Sequence, residues 1–458
     1  NYSYNQVEHR DYEIESMLDQ NIQAGASYNF NFNSIKLEPF KNNDSLFTGK
    51  YFKILKDFNL NLLPSDLSIN TNFIRQFNKQ KFRDTELSEG NIQMEELFRR
   101  NYTFDFQYNF SYPISDALNI NYSASNNNIV RNYFVDDILN GSQDPSLDVW
   151  NKFFDIGDPN RQNQQLSINY QFPLEKIPTF NFIRAMYSYT GDFQWQKGSD
   201  LFGNLLLNDQ VYDLGNTISN ANTHNLNGVF DMSKLYRYLG ITKRSSSSIK
   251  SRGNNQNINS SNNKRKKKSK FTTSLIDLLT ATKRIQFNYA ENNGTFLPGY
   301  LQTPDFIGSF KPTFGYVFGS QRDIRYLAAR NGWLTVFPEF NQQYSETTNR
   351  NLTFSANIEP INDLKIDLNG GRTYARNFTE NFNTIDTNGD GLSDDYNPLI
   401  RNEIGNFNIS TVLIKTAFSS SNEDFSKTFD IFRNNRLIIA RRLALNAGTD
   451  FNNPNNFE

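Results

Sequence analysis

The chain has 458 residues, with 47 Lys and Arg against 48 Asp and Glu, a formal net charge of −1 and no cysteine. That balance gives no global case for nucleic acid, and the missing cysteines exclude disulfides and thiol chemistry. There are 41 Phe and 23 Tyr although only 37% of residues are hydrophobic and mean hydropathy is −0.66, a mixture that suits alternating strands better than continuous apolar cores. No run approaches the roughly 18 apolar residues of a transmembrane helix, an absence that leaves a β-barrel open.

Residues 1–21 are polar and show no clear element, and the opening NYSYNQVEHR carries no signal-peptide pattern. Ile22, Ala24, Ala26, Tyr28, Phe30 and Phe32 form the first alternating run. Phe58, Leu60 and Leu62 run into Pro64-Ser65-Asp66, and Leu67, Ile69, Thr71 and Phe73 leave it. This spacing predicts a hairpin with a proline-led turn. A charged segment over 78–100 follows.

The most regular stretch is Tyr102–Ala124. Tyr102, Phe104, Phe106, Tyr108, Phe110 and Tyr112 alternate with Thr103, Asp105, Gln107, Asn109 and Ser111. A strand with this pattern has one aromatic and one polar face. Pro113-Ile114-Ser115-Asp116 makes a turn, and Leu118, Ile120 and Tyr122 return. Tyr102 to Tyr112, tilted about 45°, spans roughly 24 Å, the height of the apolar band of an outer-membrane barrel. The reading places the even-numbered aromatics against lipid and Asp105, Gln107 and Asn109 in the lumen.

Residues 125–163 read as a loop. Leu166 to Phe172, a turn over 173–178, and Ile183 to Trp195 make the next hairpin, and a strand over 222–232 follows the loop 197–221. Residues 244–270 are Ser-, Asn- and Lys-rich and end in Lys264-Arg265-Lys266-Lys267-Lys268. Such a segment buries too little apolar surface to offset its ordering entropy and is expected to be a disordered, solvated insert, the alternative being a cationic run that binds nucleic acid or anionic lipid. A short helix over Ser274–Lys283 is predicted behind it. Ile285, Phe287 and Tyr289 make a strand before the turn signal Asn292-Asn293-Gly294. Residues 295–340 are irregular, with Ser320 predicted to cap a helix over Gln321–Asn331 that Gly332 ends. Leu352 to Ile358 and Leu364 to Leu368 flank Pro360-Ile361-Asn362-Asp363. A polar loop over 377–404 precedes the last strand, Phe407 to Leu413. Ser420 and Glu423 form a capping-box pattern ahead of a helix to about Leu445.

The recurrence favours a membrane barrel over a soluble sandwich. Short proline-led turns alternate with long loops, and outer-membrane barrels put short turns in the periplasm and long loops outside. The fold class expected is all-β: an arc of a very large antiparallel transmembrane β-barrel, with short helices in loops and a disordered basic insert. The organisation expected is transmembrane hairpins over 1–232, a periplasmic insert over 233–283, further transmembrane strands over 284–418 and a periplasmic helical segment over 419–458. Counting strands puts insert and helix on the side of the proline-led turns. The last residues, FNNPNNFE, do not look like a closing strand, and a fragment cut at both ends is expected.

Five stretches carry a resemblance: Leu62–Asp84 (LLPSDLSINTNFIRQFNKQKFRD), Gln286–Pro298 (QFNYAENNGTFLP), Val317–Leu334 (VFGSQRDIRYLAARNGWL), Phe407–Phe418 (FNISTVLIKTAF) and Phe429–Ala444 (FDIFRNNRLIIARRLA). In this order they resemble the SprA/Sov family, the outer-membrane translocons of the type IX secretion system of Bacteroidota. The basic insert and the 386–395 loop carry no family signature. The resemblance implies an exceptionally large single-chain barrel whose lumen conducts folded cargo proteins. It also implies outer-membrane lipid around the wall and two partners, a PorV-like outer-membrane barrel at a lateral opening and a periplasmic plug protein. The alternatives are a TonB-dependent nutrient transporter, which would carry an N-terminal plug domain, and a secreted adhesin of repeated β-sandwiches.

No enzyme motif is present: there is no Walker loop, no GxSxG and no HExxH, and His9 and His224, the only histidines, lie in no ligand spacing. One local motif is sharp. Asp386, Asn388, Asp390, Leu392 and Asp394 are spaced as the ligands at the start of a calcium loop, with Gly391 at its sixth position. Asn397 stands where a twelfth-position Glu is expected, so the alternatives are a short calcium loop of the DxNxDGxxD kind and a polar surface turn.

Overall fold

The structure is a computed structural model and describes residues 1–41, 49–83, 96–130, 148–150, 153–199, 203, 205–241, 280–361, 364–411, 418–446 and 448. Most are in strands. In chain order these are β1 Tyr2–His9, β2 Ile14–Asn31, β3 Lys36–Leu37, β4 Leu60–Asn61, β5 Asp66–Phe82, β6 Leu97–Ser115, β7 Leu118–Ile129 and β8 Asp158–Phe172. They continue with β9 Ile183–Gln196, β10 Leu205–Leu207, β11 Gln210–Tyr212, β12 Asn216–Asp231, β13 Thr282–Tyr300, β14 Gln343–Ile361, β15 Leu364–Ile385 and β16 Asp395–Ile409. Twelve of them form one sheet in the order β1-β2-β5-β6-β7-β8-β9-β12-β13-β14-β15-β16. The remaining four make two small ribbons, β3 with β4 and β10 with β11. Asn208 and Asp209, both at positive φ (52° and 61°), turn β10 into β11 as a type I′ hairpin requires.

The large sheet is an antiparallel meander, so its connections fall alternately at two ends. One end carries 32–65, the two-residue turn 116–117, 173–182, 232–281 and 362–363; the other carries 10–13, 83–96, 130–157, 197–215, 301–342 and 386–394. The expected strand alternation holds, and the chain leaving β12 does so at the end of the proline-led turns. Loop length does not sort cleanly, because 32–65 and 232–281 share that end.

Several local expectations are corrected. Phe58 to Leu62 do not form a hairpin with Leu67 to Phe73. β5 pairs along its length with β2 on one side and β6 on the other, which leaves β4 no place in the sheet, and it pairs with β3 instead. Asn292-Asn293-Gly294 is no turn but the middle of β13. The strands also reach further than their apolar alternation: β15 runs to Ile385 and β16 begins at Asp395, inside the expected 377–404 loop. The helix after Ser320 is shorter, Arg325–Arg330, with no side-chain cap. It ends as predicted at Gly332, at φ +67°. A helix the pattern did not announce, Met232–Tyr238, is capped by Asp231, whose side chain accepts from the Lys234 amide. The basic run and residues 274–279 of the predicted helix lie outside the described residues; Thr282 and Lys283 already belong to β13.

Compactness divides the chain into Asn1–Asn408 and Ile409–Glu458. In the second unit the helix spans Lys427–Asn446. Its cap is Ser426, whose hydroxyl accepts from the Phe429 amide at 3.3 Å, and not the Ser420/Glu423 pair. No described helix is long and apolar enough to cross a membrane.

Candidate membrane belt and its caps

Register fixes which residues share a face. Phe110 pairs with Tyr122, Tyr122 with Leu166, Leu166 with Gly191, Gly191 with Asn222 and Asn222 with Asn293. The even positions of β6 therefore share a face with Ile120 and Ile168, Tyr187 and Tyr189, Leu226 and Phe230, Phe287 and Tyr289, and Leu352 and Phe354. The opposite face carries Gln107, Asn109, Ser123, Ser125, Asn163, Gln165, Asp192, Ser219, Asn292 and Thr347. One face is apolar over most of its extent and the other is mainly polar, with exceptions that include Ile74, Met186, Val229 and Phe296.

The apolar face is not apolar to its full height. On each strand we follow it from the proline-turn end to the first Asn, Gln, His or charged residue. That residue is Gln20 on β2, Arg75 on β5, Arg100 on β6, Asn126 on β7, Gln164 on β8, His224 on β12, Glu291 on β13, Arg350 on β14 and Arg372 on β15, while β9 stays apolar to Trp195 near its end. These positions do not all share one register row, although His224, Glu291 and Arg350 do. The row of Gln20 passes through Phe77 to Arg100 of β6, and that of Arg372 passes through Leu352, Tyr289, Leu226, Tyr187 and Tyr170 to Leu118, opposite Ser115 of β6. Allowing for the bulge beside Pro113, the boundary shifts by about 14 residues, or about 48 Å along the strands, over nine strand spacings totalling about 43 Å. The boundary thus crosses the register rows at about 48°. The lower limit of the apolar band drifts the same way, from Phe30 on β2 to Leu364 on β15.

Above that oblique boundary the chain covers its own sheet. Val149 and Phe153 lie over Ile22, Phe77 and Tyr102 in one apolar cluster, where the Arg75 guanidinium stacks on Tyr102 at 4.8 Å. Residues 304–320 lie over the centre. Phe306 packs on Phe104 and Phe106 at 6.1 and 4.9 Å, Tyr108 donates to the Ile307 carbonyl at 2.6 Å, and Asn220 and Asn222 donate to the carbonyls of Tyr316 and Gly319 at 2.9 and 2.6 Å. The largest cluster joins Trp195, Ile218, Leu297, Tyr316, Ala328, Leu334, Tyr344 and Phe382. Asn and Gln are on this face because the caps present it with backbone carbonyls, which must be paired once buried.

Toward the proline-turn end the face opens: Tyr28, Phe354 and Leu368 are 56%, 48% and 46% exposed, although the caps overhang the boundary on β2, β6 and β7, where Ile22, Phe104 and Ala124 are buried. The expectation that all six β6 aromatics face outward is corrected, since Tyr102 and Phe104 are buried under the caps. The centre of the open band lies instead near Phe287 and Phe354. Each of these rings lies over a glycine directly opposite, Gly228 and Gly370, where any Cβ would collide with it. The polar face is hollowed over β6 to β14 into a groove of about 560 Å³, lined by residues that include Gln107, Ser123, Gln165, Asp192, Ser219, Gly294 and Thr347.

One ion-pair network pins the largest cap. Glu380 of β15 is wholly buried and accepts from Arg325 at 2.5 Å, Tyr396 at 2.7 Å and Arg401 at 2.5 Å. The Arg325 guanidinium lies 4.4 Å from the Tyr344 ring and grips Asp323 with two hydrogen bonds of 3.0 and 2.9 Å. Burial works to raise the Asp323 pKa, but the Arg325 and backbone hydrogen bonds outweigh it and hold the carboxyl below its ordinary value. Sequence reading passed over Arg325 and Glu380, because nothing in their local pattern marks a residue as buried from both sides.

The 386–394 loop joins β15 to β16. Asp386 accepts from the amides of Gly389 and Gly391 at 2.7 and 2.9 Å, Asp390 from that of Leu392 at 2.9 Å, and Asn388 from that of Asp390 at 3.0 Å. The Thr387 hydroxyl and amide donate to Asp394 and hold its carboxyl below the usual carboxylate range. The side-chain oxygens serve as turn acceptors, and among the described residues no three His, Asp or Glu groups are gathered where one metal ion would meet them. The loop docks on the cap through Ser393, which donates to the Ala329 carbonyl at 2.9 Å. His224 lies beside the band between Tyr187 and Tyr189, and His9 pairs with Asp11 at 3.0 Å. No family model matches the chain, and no curated protein matches it.

Proposed function

We propose that the sheet is an arc of a very large β-barrel in a bacterial outer membrane. Its open apolar band faces lipid, and its polar face lines a lumen through which folded cargo proteins are exported. The oblique boundary carries the membrane part of this reading. If a membrane plane lies along the boundary, the strands tilt about 48° from its normal, close to the roughly 45° of membrane-barrel strands. A soluble sandwich has no flat plane to mark on its surface. The open band is bounded below by aromatic and basic residues, as an interface belt requires. The cargo, the PorV-like barrel and the periplasmic plug rest on the resemblance to the SprA/Sov translocons.

A photo-crosslinking residue at Gln165, in the polar groove, is expected to capture exported proteins in growing cells, and one at Phe354 is expected to capture none. No capture from Gln165, or equal capture from both positions, would overturn the export reading. Orientation is tested separately. Assigning the proline-turn end to the periplasm, trypsin should spare the basic run at 264–268 in intact cells and cut there once the outer membrane is permeabilised. Cutting in intact cells would reverse the assignment.

The spacing of Asp386, Asn388, Asp390, Leu392 and Asp394 supports calcium binding at the loop-end surface, which requires the carboxylates to turn from the loop amides to the ion. Calorimetry is expected to show calcium binding that an Asp386→Ala/Asp390→Ala variant loses. Equal heats would leave the loop a polar turn.

A further inference from the structure

At the proline-turn end, directly below the open band, lies a cleft of about 420 Å³ lined by Glu175, Pro178, Asn181, Phe182, Lys234, Arg237 and Tyr238. Phe182 touches Phe230, the lowest apolar residue on that face of β12, and Phe230 touches Phe287 at the band's centre. The cleft therefore begins where the apolar face stops. Its surroundings are held in place: the Tyr51 and Tyr238 hydroxyls meet at 3.3 Å, and Lys176 pairs with Asp57 at 3.4 Å. Tyr51, Phe52, Phe180 and Tyr238 beside it are 55%, 47%, 46% and 52% exposed. Exposed aromatics next to lysine and arginine, at the edge of an apolar band, match the composition of a membrane headgroup zone.

Lys234 and Arg237 are three residues apart on the Met232–Tyr238 helix and so point to one side of it. Neither forms an ion pair with a described carboxylate. Glu175, which lines the same cleft from the 173–182 connection, supplies one negative charge. Two cations facing one carboxylate match a zwitterion whose phosphate carries a nearby ammonium.

We propose that this cleft binds the headgroup of a phosphoethanolamine phospholipid in the adjoining leaflet. Lys234 and Arg237 take the phosphate, Glu175 takes the ammonium, and the acyl chains run up the apolar face past Phe182 and Phe230. The proposal rests on the membrane reading, so its test reads the two separately. The full-length protein is reconstituted in vesicles of phosphatidylethanolamine and phosphatidylglycerol, floated on a gradient, then extracted and weighed by native mass spectrometry with its retained lipids. Wild type is expected to float and to retain phosphatidylethanolamine. Lys234→Ala/Arg237→Ala is expected to float equally and to retain about tenfold less, the loss of charge-assisted hydrogen bonds to one phosphate. Glu175→Gln should keep binding but lose the preference for phosphatidylethanolamine over phosphatidylglycerol. Flotation with equal retention by wild type and the double variant would overturn the headgroup site alone. Displacement of the lipid by millimolar inorganic phosphate would reduce it to a simple anion site. Failure to float would overturn the membrane reading itself.

Discussion

Replacing Arg325 by alanine is expected to destabilise the folded chain by about 3–5 kcal/mol, the cost of stripping a buried carboxylate of its main partner. Glu380 has no exposed surface, and the two donors left to it are a neutral phenol and Arg401, whose side chain is 57% exposed. The loss should be local first. Residues 301–342 are held on the sheet by the cluster around Tyr344 and Phe382 and by this network, so limited proteolysis should cut that segment in the variant while the sheet stays intact. Arg325→Lys should not rescue, because an ammonium cannot grip Asp323 with two bonds, reach Glu380 and stack on Tyr344 together. Arg325→Met/Glu380→Met should recover much of the loss, since it removes both charges of the buried pair and leaves only Asp323, whose side chain is 40% exposed, without its partner. Unchanged proteolysis and unchanged denaturant unfolding in Arg325→Ala would show that the network does not hold the cap.

The ease with which the two faces were read from sequence, and the difficulty of reading the strand ends, have one physical origin. Period-two alternation survives wherever one face must be apolar, which is why Phe106 and Gln107, or Phe354 and Ser355, sort correctly from the pattern alone. Where a cap lies on the face, the requirement changes: the covering backbone needs hydrogen-bond partners, and asparagine and glutamine replace the aromatics. Asn126 in β7 donates to the Phe306 carbonyl, and Asn293 in β13 donates at 3.0 Å to Asn222, which itself donates to the Gly319 carbonyl. In the sequence these read as turn residues, so β7, β12, β13, β15 and β16 appear shorter than they are. The same blindness hides the caps. Val317–Leu334 is irregular in pattern because its side chains are spaced to fit a preformed surface and not a helix or strand of their own. The cleft at Lys234 is likewise invisible, since Glu175 and Arg237 meet only after β8, β9 and β12 are paired.

Arginine at Phe354 should cost roughly 2–4 kcal/mol of stability in a bilayer, the expected penalty for a lipid-facing cation near the midplane. Arginine at the adjacent Thr353 should cost far less. The two positions sit on the same strand, one residue apart, so strand propensity, distance from the sheet ends and chain connectivity are matched, and only the face differs. Phe354 is 48% exposed on the open band, and its ring covers Gly370. Part of any loss is therefore packing, because the glycine backbone opposite loses its cover. Phe354→Leu separates the terms: it keeps the face apolar while shrinking the cover, and should cost less than half as much as arginine. Folding equilibria in vesicles, followed by denaturant titration, give the three numbers. If Phe354→Arg and Thr353→Arg cost the same, the apolar face does not meet lipid and the oblique boundary marks no membrane plane. If the cost at Phe354 is large in vesicles and small in detergent micelles, the bilayer itself imposes it, because a micelle can deform around a guanidinium where a bilayer core resists.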